Sequence, residues 1–261
     1  MLSNIIAICN QKGGVGKTTT AINLAAALAG AGKKILIIDL DPQGNASTGL
    51  GIDYANRDKS IYEVLASSIA FDESVSKTNL ENLFIIPSNV ELSGIEPELA
   101  NESDKAFVLK SLINNSNSIK TFDYIFIDCP PALSLLTLNA LVSANSVLIP
   151  MQCEYYALEG LSDLVNTIKK VKKHLNPQIE IEGLLRTLFD KRNTLGKQVS
   201  DQLSAHFGNK VYTTIIPRNI RLAEAPSHGK AVLFYDKSSK GAKAYLELAD
   251  EILERKKYGA K

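Results

Sequence analysis

The sequence predicts an α/β protein built on a doubly wound, mostly parallel sheet. Three observations carry that prediction. Apolar runs at residues 5–8, 35–38, 124–127 and 146–150 are continuous rather than alternating, as strands buried on both faces are. Segments of helical habit separate these runs, and alternation of strand and helix is the pattern of a parallel sheet. Carboxylates stand directly after two of the runs, at the carboxyl ends of strands where open α/β sheets bind ligands.

The first run leads into Lys12-Gly13-Gly14-Val15-Gly16-Lys17-Thr18-Thr19, and residues 20–29 leave it with helical habit. Strand, glycine-rich loop and helix is the context in which such a loop holds phosphate, whereas an ordinary glycine turn needs none of it. The glycines let backbone N–H groups approach an anion. The helix N-terminus beyond adds free donors and partial positive charge. Lys17 supplies an ammonium for the outer phosphates and Thr18 a hydroxyl for Mg²⁺. Read as G-x-x-x-x-G-K-[ST], the loop departs from pattern at Gln11, and a second lysine, Lys12, follows. A strongly hydrated cation gains nothing from a tight turn. Lys12 is therefore expected to reach a phosphate held by a second copy of the chain, against the plainer reading of a solvated lysine.

The second run ends in Asp39-Leu40-Asp41-Pro42. Alternation along a strand puts Asp39 and Asp41 on the same side. Asp41 is assigned to orienting the attacking water and Asp39 to supporting a metal shell; the competing reading is a turn started before Pro42. Residues 124–127 end in Asp128, expected to hold Mg²⁺. That pattern is weak alone and strong beside the glycine loop.

The chain has 261 residues, 45% hydrophobic and 22% charged, so one large domain over residues 1–261 is expected. A formal charge of +1 excludes a globally basic protein, leaving any nucleic-acid surface as a local patch. Cys9, Cys129 and Cys153 have no metal-ligand spacing and read as reduced, buried thiols of a cytosolic protein. His174, His206 and His228 show no metal or triad spacing either. Residues 1–4 run straight into the first strand, so no signal peptide is expected, and no run approaches the length of a membrane span.

Residues 46–120 are the least informative. Within them 84–87 reads as a strand and 104–115 as a helix, with a loop over 114–121. A later helix ends in Lys169-Lys170-Val171-Lys172-Lys173, which suits either a helix C-terminus or a DNA contact. A strand over 179–189 delivers Asp190-Lys191-Arg192 to an exposed edge. Another ends in Thr214-Ile215-Ile216-Pro217-Arg218-Asn219, where Pro217 and Asn219 suit the wall of an adenine pocket. The final helix, 240–257, carries Leu246, Ala249, Ile252 and Leu253 on one face and Glu247, Asp250, Glu251 and Glu254 on the other.

The loop 12–19, Asp39-Leu-Asp-Pro-Gln-Gly-Asn45 and Phe126-Ile-Asp-Cys-Pro-Pro131 resemble the motifs of the deviant Walker ATPases, a P-loop NTPase group. Residues 216–229, Ile-Pro-Arg-Asn-Ile-Arg-Leu-Ala-Glu-Ala-Pro-Ser-His-Gly, are similar to the ParA/Soj branch, which partitions chromosomes and plasmids. The resemblance implies an ATP- and Mg²⁺-dependent sandwich homodimer that binds DNA of the nucleoid without sequence preference. It implies slow hydrolysis, stimulated by a ParB protein bound at centromere-like sites. Lys12 would contact the partner's nucleotide, Asp41 would be catalytic, and Asp128 would complete the Mg²⁺ shell. Arg192 matches a DNA-contacting arginine, with Arg218 and Arg221 as weaker candidates. The extra N-terminal DNA-reading domain of some plasmid relatives is not expected here. Membrane-recruited ATPases of the MinD type share the loop, but they dock through a basic amphipathic helix, and the acidic face of 247–254 is the opposite. An iron–sulfur ATPase would need a cysteine pair set for a shared cluster. A ligase or amidotransferase would use the same ATP site to activate a carboxylate.

Overall fold

Apolar residues divide between the two faces of one sheet, and that division builds the protein. The computed structural model describes residues 3–100 and 102–258; Met1 and Leu2 of the expected entry to the first strand lie outside them. Eight strands are described: β1 (Asn4–Ile8), β2 (Ile35–Asp39), β3 (Ser76–Lys77), β4 (Leu83–Ile86), β5 (Tyr124–Asp128), β6 (Ser146–Gln152), β7 (Glu180–Phe189) and β8 (Val211–Pro217). They pair in the order β3-β4-β2-β5-β1-β6-β7-β8. Every pairing is parallel except that of β3 with β4. Ile5, Ala7, Leu36, Ile38, Ile125 and Ile127 feed one core, while Ile6, Ile8, Ile35, Ile37, Tyr124 and Phe126 feed the other. Helices Leu135–Ser143 and Ala157–His174 cover the first face, and Lys17–Gly30 and Lys240–Tyr258 cover the second. This is the doubly wound architecture that continuous apolar runs demand, since a strand with a wet face would alternate.

Register sets the strand ends level. Ile8 pairs with Asp128, and Asp128 pairs in turn with Asp39. The strand β1 lies between β5 and β6, where the winding reverses, so the loop after β1 opens at the crevice of the sheet. The three cysteines are free and buried. Among the described residues no helix is long and apolar enough to cross a membrane.

The middle segment holds what periodicity did not reveal. Its strand is Leu83–Ile86, and Pro87 instead uses its carbonyl to accept the N–H of Ile61 at 2.8 Å. The expected helix over 104–115 begins at Val108, because residues 104–107 close a turn through Phe107 N–H to the Asp104 carbonyl at 2.7 Å. The short helix Ile61–Leu65 is set by a capping box, in which Ser60 accepts from Tyr62 N–H and Glu63 accepts from Ser60 N–H.

The final helix corrects one expectation. Glu251 is not part of an exposed acidic face. Its carboxylate accepts the N–H groups of Thr213 and Thr214 from β8, each at 2.9 Å, and pairs with Arg255 at 2.7 Å. Arg255 also donates to the carbonyls of Asn209 and Val211, and Lys256 lies over the Tyr124 ring. The basic last turn is thus tied to the domain rather than held free. Burial alone would raise the Glu251 pKa, but the Thr214 and Thr213 donors reverse this and leave it below its ordinary value. A carboxylate with a depressed folded pKa stabilises above its unfolded pKa, and the contribution fades as pH falls through the folded value. Glu251→Ala should cost about 2 kcal/mol at pH 7. Thermal melts from pH 7 downward should show the gap closing below the ordinary value of 4.5; a gap independent of pH would refute the assignment.

Candidate nucleotide site

The loop after β1 is held open by its own backbone. Gly14 and Gly16 take left-handed φ values of 73° and 88°, which side chains with a Cβ disfavour. Gly16 is also the N-cap of helix Lys17–Gly30, so the helix's first free N–H groups face the crevice. Thr187, from the end of β7, donates its hydroxyl to the Val15 carbonyl at 2.7 Å and fixes the loop from the side. The next residue, Leu188, is itself left-handed at φ 50°, a strained position for a branched side chain.

A cleft of about 650 Å³ opens over this loop. Gly13, Gly14, Gly16, Lys17, Thr18 and Thr19 form its floor, Asp41 borders it, and Ile216, Asn219 and Leu222 stand on the far wall. Lys12, Val15 and Pro217 are not among its lining residues. Val15 is buried beneath the loop, and Pro217 sits within β8 against Phe189. Asn219 does face the cleft, with a buried side-chain oxygen that has no hydrogen-bond partner. A larger cavity of about 850 Å³ shares only Thr48, Pro226 and Ser227 with this cleft and touches none of the loop.

Beneath the floor three carboxylates converge. Asp39 is fully buried, and one of its oxygens accepts from Ser47 N–H at 2.8 Å and Ser47 Oγ at 2.6 Å. Burial pushes its pKa up to about 6, although Ser47 pulls it down. Asp41 accepts the Gln43 N–H at 3.0 Å, which shapes the turn after β2. Asp128 is fully buried, and neither of its oxygens has a hydrogen-bond partner. Burial and then Asp39 raise its pKa well above the carboxylate range, against the opposing pull of nearby Thr18 and of Lys17. The Lys17 ammonium is lowered by burial, opposed by Asp128, and rests on the Lys12 carbonyl at 3.2 Å.

A divalent cation fits this deficit. Asp128 offers two free acceptors, and Thr18 stands close by. Asp39, committed to Ser47, supports from behind. Among the described residues no group of three or more His, Cys, Asp or Glu is placed to hold a metal unaided. That matches Mg²⁺, which takes one or two carboxylates and completes its shell with phosphate and water.

The second lysine stands apart. Lys12 points away from the cleft and pairs with Glu154, both about half exposed. Tyr155 and Tyr156, which follow Glu154, are exposed by 70% and 74%, and Leu133, which shares a small hollow with Gln11, is exposed too. Among the arginines, Arg192 is gripped by Asp190 through two hydrogen bonds of 3.0 and 2.8 Å, which drops the Asp190 pKa to about 2. Arg221 pairs with Glu224 and Asp236. Arg218 is exposed and makes no ion pair among the described residues. Thr187, Leu188 and Ser47 escaped the sequence reading, because no spacing marks a strand end that reaches across to a distant loop.

A family model described as an AAA domain matches residues 3–181. The chain is 51% identical over 251 residues to the sporulation initiation inhibitor protein Soj of Bacillus subtilis, covering 96% of this chain and 98% of that protein. It is 48% identical over 253 residues to the chromosome partitioning protein ParA of Caulobacter vibrioides, covering 97% and 95%. Cobyrinic acid a,c-diamide synthase of Mycobacterium smegmatis, solved with bound ATP analog and magnesium, is similar at 35% identity and TM-score 0.84, covering 98% and 97%. With its glycine loop, buried Asp128 and near full-length kinship, the chain belongs to the Soj/ParA family of chromosome-partitioning P-loop ATPases.

Proposed function

We propose that the chain, as a single ATPase domain spanning 1–261, is an ATP-operated partition switch of the cytoplasm and nucleoid. The cleft takes ATP with Mg²⁺, two copies close face to face, and the closed dimer holds DNA without sequence preference. Slow hydrolysis, stimulated by a ParB-like centromere-binding partner, reopens it. The observation that carries this reading is the placement of the two lysines. Lys17 lines the cleft, while Lys12 lies outside it, paired with Glu154, which the exposed Tyr155 and Tyr156 follow directly. A lysine that cannot serve its own cleft suits a partner's nucleotide, and exposed tyrosines suit a protein interface.

Bound Mg²⁺-ATP supplies the phosphoanhydride and the charge neutralisation on which phosphoryl transfer depends. The chain's own residues do the rest. Lys17 exchanges the Lys12 carbonyl for phosphate oxygens, and the N–H groups of residues 13–19 cradle the anion. Thr18 and Asp128 would hold the cation, with Asp39 fixed behind them by Ser47. Asp41 borders the cleft and orients a water. Lys12 leaves Glu154 for the partner's phosphates. Ile216 and Asn219 face the base, and the unpartnered Asn219 oxygen is an acceptor suited to an exocyclic amine. The final helix, tied to β8 through Glu251 and Arg255, favours this reading over a membrane-docking one.

Asp41→Ala should lower hydrolysis by about 100-fold or more while keeping ATP-dependent DNA binding. Lys17→Ala should abolish the rise in melting temperature that Mg²⁺-ATP gives the parent. Normal hydrolysis by Asp41→Ala would remove Asp41 from the mechanism.

Binding to random-sequence DNA should appear with ATP, not with ADP or without nucleotide, and should fade as salt rises. Arg218→Glu should weaken it and flatten the salt slope by about 2, one phosphate contact from each copy. Arg192→Glu should weaken it too, since Asp190 would then stand unpaired beside the new carboxylate. An unchanged slope in both variants would place the DNA surface elsewhere.

A further inference from the structure

We infer that Arg57 is a positioning residue for Asp41, an inference that rests on the hydrolytic reading above. Arg57 follows the turn Tyr54–Asn56 and is only 5% exposed, yet it pairs with no carboxylate among the described residues. Its guanidinium is instead consumed by oxygen acceptors around the segment that follows Asp41. Nη1 donates to the carbonyls of Gly44 at 3.4 Å and Ser88 at 3.2 Å. Nη2 donates to Thr48 Oγ1 and to the Ile52 carbonyl, each at 2.8 Å, and Nε donates to Ile52 at 3.2 Å. A planar fork with five N–H groups can satisfy this set, and an ammonium cannot.

The acceptors are not a random selection. Gly44 closes the turn that Asp41 opens, through Gly44 N–H to the Asp41 carbonyl at 2.9 Å. Gly44 is left-handed at φ 60°, and a Cβ there would stand 2.5 Å from Arg57 Nη1 and 2.9 Å from the Ser88 carbonyl. The Arg57 guanidinium therefore lies directly against Gly44, where a side chain would collide with it. Thr48 stands on the cleft wall and donates to that same Gly44 carbonyl at 3.1 Å. Ser88 lies just beyond β4, and its N–H donates to Ser47 Oγ, which in turn donates to Asp39. Arg57 thus clamps the far end of the Asp41 turn to the end of β4, on the side away from the nucleotide. Without the clamp the Asp41 turn keeps its Thr48 and Ser47 contacts but loses its side-chain tie to the Ser88 carbonyl, and a displacement of about 1 Å at a reacting group costs about 100-fold in rate.

The test is steady-state ATP hydrolysis by Arg57→Lys and Arg57→Ala, with melting temperatures alongside. Hydrolysis should fall about tenfold in Arg57→Lys and about 100-fold in Arg57→Ala, with KM for ATP within about twofold of the parent. Both variants should still gain melting temperature from Mg²⁺-ATP. Gly44→Ala, which pushes on the same contact, should combine with Arg57→Ala less than multiplicatively in kcat. Parental kcat in folded variants would overturn the inference, as would an Arg57→Lys that fails to fold, which would make the residue merely structural. A parent protein that binds Mg²⁺-ATP without hydrolysing it would instead sink the hydrolytic reading itself.

Discussion

Asp128 buries two carboxylate oxygens that accept no hydrogen bond, and the rest of the site is arranged around that deficit. A carboxyl so poorly solvated is costly to ionise, and burial and Asp39 hold its pKa well above the ordinary range. The cost is tolerable only if the chain cannot relax away from it. The fold ensures this, because Asp128 ends β5 between β1 and β2, with Ile8 and Asp39 level on either side. Three buried parallel strands cannot slip past one another without turning every side chain to the wrong core. Lys17 is the nearest compensating charge, and it too is partly desolvated and drawn between the Lys12 carbonyl and the acids below. A cation with a polyphosphate would satisfy both sides of this imbalance at once.

The neighbouring carboxylates show how one sheet edge gives similar residues different work. Asp39 has its oxygen filled by two donors from Ser47, so it is fixed and acts through others. Asp41 lies two residues on, past the end of the strand, at the cleft rim in a turn rather than in the sheet. Asp128 alone keeps its acceptors free. Burial and partners, not residue type, separate these roles.

Much of this was legible beforehand, and the reason is local. Glycines at 13, 14 and 16, a lysine and a threonine in sequence, and aspartates after apolar runs all sit on short pieces of chain. Each piece carries its own structural context. The fold class followed equally well, since unbroken apolar strands admit few alternatives. The short elements of residues 46–107 were opaque because capping and single turns leave almost no periodic signal. Glu251 was misplaced for a different reason: helical spacing puts it near Glu247 and Glu254, but only tertiary structure reveals the edge of β8 above it. Arg57 and Thr187 were invisible for the same cause. Val15 lies 172 residues from Thr187, and Arg57, though near Gly44, Thr48 and Ile52 in the chain, meets them and Ser88 only through loop geometry that leaves no periodic signal.

The remote contact of Thr187 with Val15 ties the nucleotide loop to the strand end that precedes Arg192. Thr187 grips the glycine loop through the Val15 carbonyl, and Asp190 grips Arg192 only a few residues later. Between them Leu188 holds a left-handed conformation, and Phe189 accepts the N–H of Arg218 at 3.3 Å. Two of the three candidate DNA-contacting arginines, Arg192 and Arg218, are therefore held at the same end of β7 that braces the loop. An anion filling the loop would draw on the carbonyl-to-hydroxyl contact at one end of this segment. The strained residue beside it has an easy relaxation available, since leaving φ 50° relieves a conformation that costs about 1 kcal/mol or more. The nucleotide loop and these arginines therefore share one strand end, and that strand end carries a strained residue.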